Sequence, residues 1–221
     1  MIFCLLFFFD NLAFQKTIGT ITFNKTTMKR LLLSLLAAGL SAVPSLGHAA
    51  ANPYVSISGG LGLLHNSSYN GAPDAVTYKT GYLINGAVGI KNDMYRLEAE
   101  IGDHSNNAIT WGGDPSTDKI SIWSFMANGY LDFDIKNSDF SPFVMAGLGY
   151  AHATDHYYEF EVTSSDTVFA WQVGAGVGIK VGNNATVDIG YRYFKLSDVR
   201  WNSDTYSLAS SNIIVGIRLG L

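Results

Sequence analysis

Apolar and polar residues alternate with a period of two along most of the chain after Pro53. In the stretch MYRLEAEIG, residues 94–102, the odd positions from Tyr95 onward are apolar and the even positions from Arg96 to Glu100 are charged. Successive side chains of a β-strand point to opposite faces, so this stretch predicts a strand with one apolar face and one charged face. The apolar face would meet either the core of a soluble protein or the lipid around a membrane barrel.

Eight segments carry this alternation and are predicted strands: 54–65, 80–91, 94–102, 120–134, 141–153, 168–181, 187–193 and 212–221. The connections between them alternate strictly in length. Short connections, rich in Asn, Asp and Gly, are ND, IKNSDF and GNN, whereas the long ones cover 66–78, 105–118, 154–166 and 197–207. An outer-membrane barrel has this asymmetry, with short periplasmic turns and long extracellular loops.

Aromatic residues on the apolar faces fall near the two ends of the predicted strands, with mostly Val, Leu, Ile and Ala between them. Those near the outer ends are Tyr82, Trp123, Tyr150, Phe169, Trp171, Tyr191 and Tyr193; those near the inner ends are Tyr54, Tyr95 and Phe133. Aromatic girdles of this kind mark the two interfaces of a membrane, whereas a soluble barrel has no reason to sort aromatics by height. The pattern therefore predicts an all-β fold, an eight-stranded antiparallel up-and-down transmembrane β-barrel in the outer membrane of a Gram-negative bacterium.

The composition and the N-terminal part agree with export. Only 14% of the residues are charged, against about a quarter in a soluble domain. The segment MKRLLLSLLAAGLSAVPSLGHAA has a basic start, a short apolar run and small residues at its end, so residues 28–51 are predicted to be a signal peptide. We expect residues 1–27 to be a misassigned start or an extension, and residues 52–221 to be the barrel domain. From Asn52 onward, 10 basic and 17 acidic residues leave 10 − 17 = −7, which argues against nucleic-acid binding.

The predicted lumen face holds four acidic and four basic side chains. This lumen charge network comprises Arg96, Glu98, Glu100, Asp132, Lys180, Asp188, Arg192 and Arg218. An eight-stranded barrel is only wide enough to be filled by its own side chains, and a buried charge is tolerated when it is paired. We expect these groups to pair across the lumen, with the glycines at 147, 149, 174, 176 and 178 leaving room for long side chains.

The later strands resemble a known family. FMANGYLDFD, SPFVMAGLGYA, FAWQVGAGVGIKV, VDIGYRYFKL and NIIVGIRLGL are similar to strands of the outer-membrane β-barrels that include the OmpA-like membrane domain, opacity-type proteins and surface-antigen barrels. The resemblance implies roles in envelope integrity, adhesion, host-factor binding or weak pore formation. It also implies recognition of the last strand by the barrel assembly machinery. Two departures are the final Leu221, where the family usually ends in an aromatic residue, and the lack of a following peptidoglycan-binding domain.

Catalytic or metal chemistry is not predicted. His65 with Ser67, His104 with Ser105 and Asp103, and His152 or His156 with Asp155 stand outside any recognised nucleophile motif. The only cysteine is Cys4, and GAGVGIK lies in a strand, so we expect no metal, cofactor or nucleotide site.

Recognition residues are instead predicted in the long loops, because rigid scaffolds commonly carry function there. The candidate contacts are the loop aromatics Trp111, Tyr157, Tyr158, Phe160 and Trp201, which could equally fold back onto the rim as part of the outer girdle. The main hypothesis is a structural, adhesion or surface-interaction protein, with outer-membrane lipid and lipopolysaccharide as its surroundings and an unknown extracellular ligand. The alternatives are a small porin and, third, a lipid-modifying enzyme.

Overall fold

A computed structural model describes residues 52–69, 72–111, 114–115, 119–157, 162–201 and 204–221. The predicted signal peptide and residues 1–27 lie outside the described residues, as do Tyr158 and Phe160. No helix in the described ranges is long and apolar enough to cross a membrane.

Eight long strands form a closed antiparallel barrel, which confirms the predicted fold class. They are β1 (Asn52–Leu64), β4 (Gly81–Asn92), β5 (Tyr95–Trp111), β7 (Lys119–Asp132), β8 (Phe140–Tyr157), β9 (Val162–Lys180), β10 (Ala185–Leu196) and β13 (Ala209–Gly220). Each pairs with the next along the chain, and β1 closes the barrel against β13 from Tyr54–Gly220 to Leu64–Ser210. Closure leaves no unpaired edge in the lipid, where an unsatisfied backbone group would be costly.

Among the described residues, the long connections contain five short strands: β2 (Ser67–Tyr69), β3 (Ala72–Tyr78), β6 (Asp114–Pro115), β11 (Val199–Trp201) and β12 (Asp204–Ser207). Strands β11, β12, β2 and β3 pair in this order and continue onto the outer part of β5, with which β6 pairs separately. We call this five-stranded arrangement the outer sheet. The predicted long loops are therefore largely strand: β5, β8 and β9 continue well past the segments predicted from their alternation. Small polar residues interrupt the alternation there, but backbone pairing continues because it does not depend on an apolar face.

The short turns lie at one end of the barrel, together with the start of β1 and the end of β13. Two of them contain a residue with positive φ, Asp93 at 49° and Asn137 at 59°. Asn and Asp adopt this left-handed conformation more readily than other non-glycine residues. These two Asn and Asp residues, which the sequence places in the short connections, thus adopt the backbone conformation that tight turns require.

The parity prediction holds around the described part of the barrel. Apolar side chains at outward positions are exposed, as with Tyr150 (64%) and Phe125 (61%), whereas Arg96 and Asp132 on the opposite face are each 1% exposed. One predicted girdle residue is wrong: Tyr54 is 3% exposed and points into the lumen. Its position was assigned from height along the strand, although its even number places it opposite Val55 and Ile57.

Candidate functional site

Arg96 lies at the centre of the charged part of the lumen. Its Nε donates to Asp132 Oδ1 at 2.8 Å, and its Nη1 lies 3.7 Å from both Glu98 Oε1 and Asp188 Oδ2. The guanidinium also stacks over the ring of Tyr130, 4.0 Å from the ring centroid. One buried cation thus neutralises acids from three strands and uses an aromatic face as a further partner.

Two further cations complete this layer nearer the short turns. Arg218 Nη2 donates to Asp188 Oδ1 at 3.1 Å, and its Nη1 lies 3.7 Å from Asp132 Oδ2. Lys91 Nζ lies 2.9 Å from the same Asp132 oxygen. The lumen charge network is therefore balanced, four acids against four bases, but one of the predicted bases is wrong.

Lys180 is exposed at the short-turn end of β9, and Lys91 occupies the basic position in the network. Parity alone cannot separate the two, because both stand at strand ends where a long side chain can turn toward water. The register decides it: Lys91 pairs with Arg96 across β4 and β5, which brings it next to Asp132.

Arg192 and Glu100 form a second layer nearer the middle of the barrel. Arg192 Nη1 donates to both oxygens of Glu100, at 2.8 and 2.9 Å. Gln172 Nε2 donates to Glu100 Oε1 at 3.2 Å and to Asn128 Oδ1 at 2.7 Å. The polar side chains Gln172 and Asn128 belong to the network and were not predicted, since an uncharged amide at lumen parity has no distinctive signal.

Tyr54 is a further unpredicted member. Its hydroxyl donates to Glu98 Oε1 at 2.8 Å, and Arg218 lies over its ring at 5.4 Å. Beside Glu98 the lumen retains a cavity of about 50 Å³, also lined by Ser56, Ser58 and Asp188. That space is large enough for a water molecule with several polar partners, but not for a continuous aqueous channel.

The outer half of the lumen contains an apolar cluster, which the sequence analysis did not predict. Buried side chains from the barrel wall and from the β10–β13 connection pack together there: Leu64, Ile120, Ile122, Met126, Ala151, Ala153, Ala170, Phe194, Leu196, Val199, Tyr206 and Leu208. His104 stacks on Phe194 with ring centroids 5.0 Å apart. We call this group the outer apolar cluster. Even-numbered apolar residues such as Ile120 and Ile122 were the available signal, since they break the lumen-polar pattern in β7.

Glycines of β9 leave the space into which neighbouring lumen side chains fit. A Cβ atom at Gly176 would lie 2.6 Å from Phe143 Cζ, and one at Gly178 would lie 2.9 Å from Asp188 Oδ1. The prediction that these glycines make room for long charged side chains applies to Gly178. At Gly176 the space is filled by an aromatic ring.

The predicted loop contacts are placed only in part. Trp111 ends β5, Tyr157 ends β8 and Trp201 ends β11, so their backbones belong to strands that extend beyond the barrel wall. Trp111 pairs with Val76 of β3, and Trp201 pairs with Asp204 of β12. Two of these aromatics therefore belong to the outer sheet.

Two of the histidines that were weighed as catalytic candidates hydrogen-bond hydroxyl groups of other strands. His65 Nε2 hydrogen-bonds Ser211 Oγ at 2.8 Å, and His152 Nδ1 hydrogen-bonds Thr167 Oγ1 at 2.9 Å. His104 is buried in the outer apolar cluster. Within the residues that the structure describes, no group of His, Cys, Asp and Glu is arranged to hold a metal ion.

A family model described as outer membrane protein beta-barrel domain matches residues 32–218. The chain belongs to this family. The outer membrane protein PagN of Salmonella typhimurium strain LT2 is 28% identical over 154 residues, which are 58% of this chain and 64% of PagN. The chain therefore spans less than two thirds of the length of that relative.

Two solved structures share the fold at lower identity. Neisserial surface protein A, NspA, is 18% identical, with a TM-score of 0.59 over 79% of this chain and 100% of NspA. OprG from Pseudomonas aeruginosa is 13% identical, with a TM-score of 0.50 over 79% of this chain and 99% of OprG. The likeness to both concerns the barrel itself.

Family membership places the chain in the outer membrane, with its exposed apolar band against lipid. The short-turn end of an outer-membrane barrel faces the periplasm, and the long connections face the exterior. The lumen charge network consequently lies toward the periplasm, and the outer apolar cluster toward the cell surface.

Outside the lipid band, the periplasmic turn after β7 holds Asp134. Partial burial favours the neutral carboxyl, but a hydrogen bond from Ser141 and the Lys91 ammonium, 3.3 Å away, outweigh it. Together they hold the pKa of Asp134 below its ordinary value of 3.8. This turn therefore keeps a charged group that extends the lumen charge network into the periplasm.

Proposed function

We propose that this outer-membrane protein is a non-enzymatic surface protein that contacts an extracellular partner through the outer sheet. The observation that carries the proposal is a rigid strand framework standing above a filled lumen. β5, β8 and β9, of 17, 18 and 19 residues, are longer than the roughly 9–11 residues that a strand needs to cross the membrane. The surplus length stands outside the lipid.

Ordered strands support recognition better than free loops, because less conformational entropy is lost on binding. Within the outer sheet, Tyr206 pairs with Tyr69 and Val76 pairs with Trp111, so segments from three separate connections hold one another in place. The side chains of Val76 and Tyr206 are buried, 2% exposed each. These buried side chains pack beneath the outer sheet and hold the strands that carry the loop tips in place.

The side chains that fill the lumen support the proposal that the barrel does not conduct ions. A solute entering from outside would first meet the outer apolar cluster and then the Arg192–Glu100 pair and the Arg96 layer. Three successive layers of packed side chains fit the small-porin alternative poorly, since a porin needs a continuous aqueous path. We expect no steady single-channel current from the purified protein in planar bilayers, and regular conductance steps would overturn this part of the proposal.

The last strand is the proposed contact for the barrel assembly machinery. Leu221 faces outward, 65% exposed, and its N–H donates to Pro53 O at 2.9 Å beside the seam between β1 and β13. An apolar side chain at this position can replace the aromatic residue that the family usually carries. Leu221→Phe should therefore leave the amount of folded protein in the outer membrane unchanged or raise it.

The surface role is tested by replacing Trp111, Tyr158 and Trp201 together with Ser. Cells expressing the variant at the normal level should bind host cells or matrix proteins several-fold less than cells with the native protein, because aromatic residues often dominate protein interfaces. Lys79→Ser with Asp198→Ser, two exposed charged positions at the same end, is the matched control and should keep full binding.

Equal surface binding by the aromatic variant and the native protein would contradict the proposal, provided both show the same heat-dependent shift on a detergent gel. The enzyme alternative is tested separately, by comparing the masses of lipid A from cells with and without the gene. A mass change that depends on the gene would show a lipid-modifying activity and overturn the non-enzymatic assignment.

A further inference from the structure

The lipid-facing surface at the outer end of β1, β13 and β10 carries a group of polar side chains. His65 Nε2 and Tyr191 Oη both hydrogen-bond Ser211 Oγ, at 2.8 and 2.7 Å. His65 packs edge-on against Tyr193, with ring centroids 5.8 Å apart. These residues share the odd parity that faces outward on all three strands, so they look toward lipid and not into the lumen.

Lys195 adds a second base at the same height. It pairs in register with Ala209 of β13, and the N–H of His65 donates to the carbonyl of Ala209 from the other side. Neighbouring strands lie about 4.8 Å apart, so the backbones of His65 and Lys195 are roughly 10 Å apart. The Ala209 methyl group separates them in this row, and the Lys195 ammonium, which donates to Ser207 Oγ at 3.2 Å, keeps further N–H donors for a group placed between the two bases. We call His65, Lys195, Ser211 and Tyr191 the rim patch.

Aromatic rings border the rim patch. Trp171 pairs in register with Lys195 and packs against Tyr193 with ring centroids 5.6 Å apart. Trp and Tyr concentrate at the level of lipid head groups, where one end of the ring is apolar and the other is wet. The rim patch therefore stands at the head-group level of the outer leaflet.

The rim patch is suited to bind and poorly suited to catalyse. Ser211 lies within β13, paired with Leu63 on one side and Tyr193 on the other, so its backbone N–H belongs to the ladder and is not free for an oxyanion hole. By contrast, the imidazole and the two hydroxyls hydrogen-bond one another, and the Lys195 ammonium beside them keeps donors beyond its bond to Ser207. This is donor chemistry that an anion with several oxygens uses well.

We propose that the rim patch binds a phosphate group of one lipopolysaccharide molecule in the outer leaflet. Lys195 supplies the positive charge, His65, Ser211 and Tyr191 supply neutral hydrogen-bonding groups, and the Trp171 and Tyr193 rings contact the lipid beside the head group. Charge complementarity argues for this occupant: outward-facing bases stand at the level where phosphorylated lipid head groups lie. A bound lipopolysaccharide molecule would anchor the β1–β13–β10 side of the barrel to the outer leaflet.

The test is native mass spectrometry of the full-length protein extracted in detergent and titrated with lipid A that carries both phosphates. We expect one lipid A molecule to bind, and to bind at least about tenfold more weakly once its phosphates are removed, because charge-assisted hydrogen bonds are lost. The H65A/K195A variant should bind the phosphorylated lipid more weakly than the native protein by a similar factor. Millimolar inorganic phosphate should not displace the lipid, because the acyl chains and aromatic rings add contacts that free phosphate cannot make.

The matched control is H152A/K119A, which removes the same residue types from outward positions on β8 and β7, with His152 also hydrogen-bonded to a hydroxyl. It should change binding by less than about twofold. K195Q, which removes only the charge at Lys195, carries the test if the double variant fails to fold, and should weaken binding about threefold or more. Unchanged binding in H65A/K195A, or in K195Q if that variant carries the test, would overturn the proposal. So would an equal loss in the control, or displacement of the lipid by free phosphate.

Discussion

Removing one member of the Arg192–Glu100 pair should destabilise the barrel strongly. The perturbation is Arg192→Met, which keeps much of the side-chain volume and removes the charge. In the native protein both carboxylate oxygens of Glu100 accept from Arg192 Nη1, and the two side chains are 12% and 5% exposed. The substitution leaves Glu100 charged and buried, with Gln172 as a remaining donor at 3.2 Å.

The size of the effect follows from what remains around Glu100. Breaking a buried ion pair by removing one partner costs about 3–5 kcal/mol. Because Gln172 still donates to the carboxylate, we expect the lower end of this range, about 3 kcal/mol. Adding Glu100→Gln removes the stranded charge, and the double variant should be within about 1 kcal/mol of the native protein, since a neutral buried pair of similar volume is often tolerated.

The assay is urea unfolding in lipid vesicles, followed by the fluorescence of the four tryptophans. The free energies of unfolding of the native protein, both single variants and the double variant then close a double-mutant cycle. Arg200→Met is the control, because Arg200 is exposed on β11 and its loss should change the free energy by less than about 0.5 kcal/mol.

If Arg192→Met lowers the free energy of unfolding by less than about 1 kcal/mol, the argument that Glu100 depends on Arg192 for its charge compensation is refuted. A double variant as unstable as the sum of the two single variants would refute it differently. That result would mean that each residue acts through partners other than the other member of the pair.

Two further changes probe the lumen wall and the periplasmic turn. Gly176→Ala should cost about 1–3 kcal/mol, because the new Cβ would lie 2.6 Å from Phe143 Cζ, whereas Gly86→Ala, with no atom within 4 Å, should be neutral; equal free energies of unfolding would contradict this. The lowered pKa of Asp134 contributes stability that is present above pH 3.8 and lost as the pH falls through the folded-state pKa. Asp134→Asn should therefore flatten the acid limb of a stability-against-pH curve slightly, Asp134 being nearly half exposed beside Lys91, and an unchanged limb would contradict it.

Much of the lumen charge network was predictable, and part of the rest depends on how the strands are staggered. Arg96 and Asp132 stand at lumen parity, and period-two alternation is a local property that any single strand carries. Lys91 in place of Lys180, and Tyr54 beside Glu98, depend on height along the barrel axis. Height follows from the stagger between strands, which no single strand encodes.

The contacts outside the lumen were less accessible to sequence analysis. His65 was paired with Ser67 because the two are close in sequence, but its partner Ser211 is 146 positions away. The β1–β13 seam brings them together. The outer sheet was hidden for a related reason, since β2, β3, β11 and β12 are too short to show a period by themselves.

The sequence by itself determined the class of fold, the number of barrel strands, which face of each strand meets lipid, and which end carries the long connections. These properties need only the alternation of side chains and the spacing of turns, both of which are local. The tertiary structure decided which acid meets which base, that an apolar cluster packs inside the outer lumen, and that the loops form a sheet with its own core. All of these depend on the register in which the strands close into a barrel, because that register sets the height at which residues far apart in the chain meet.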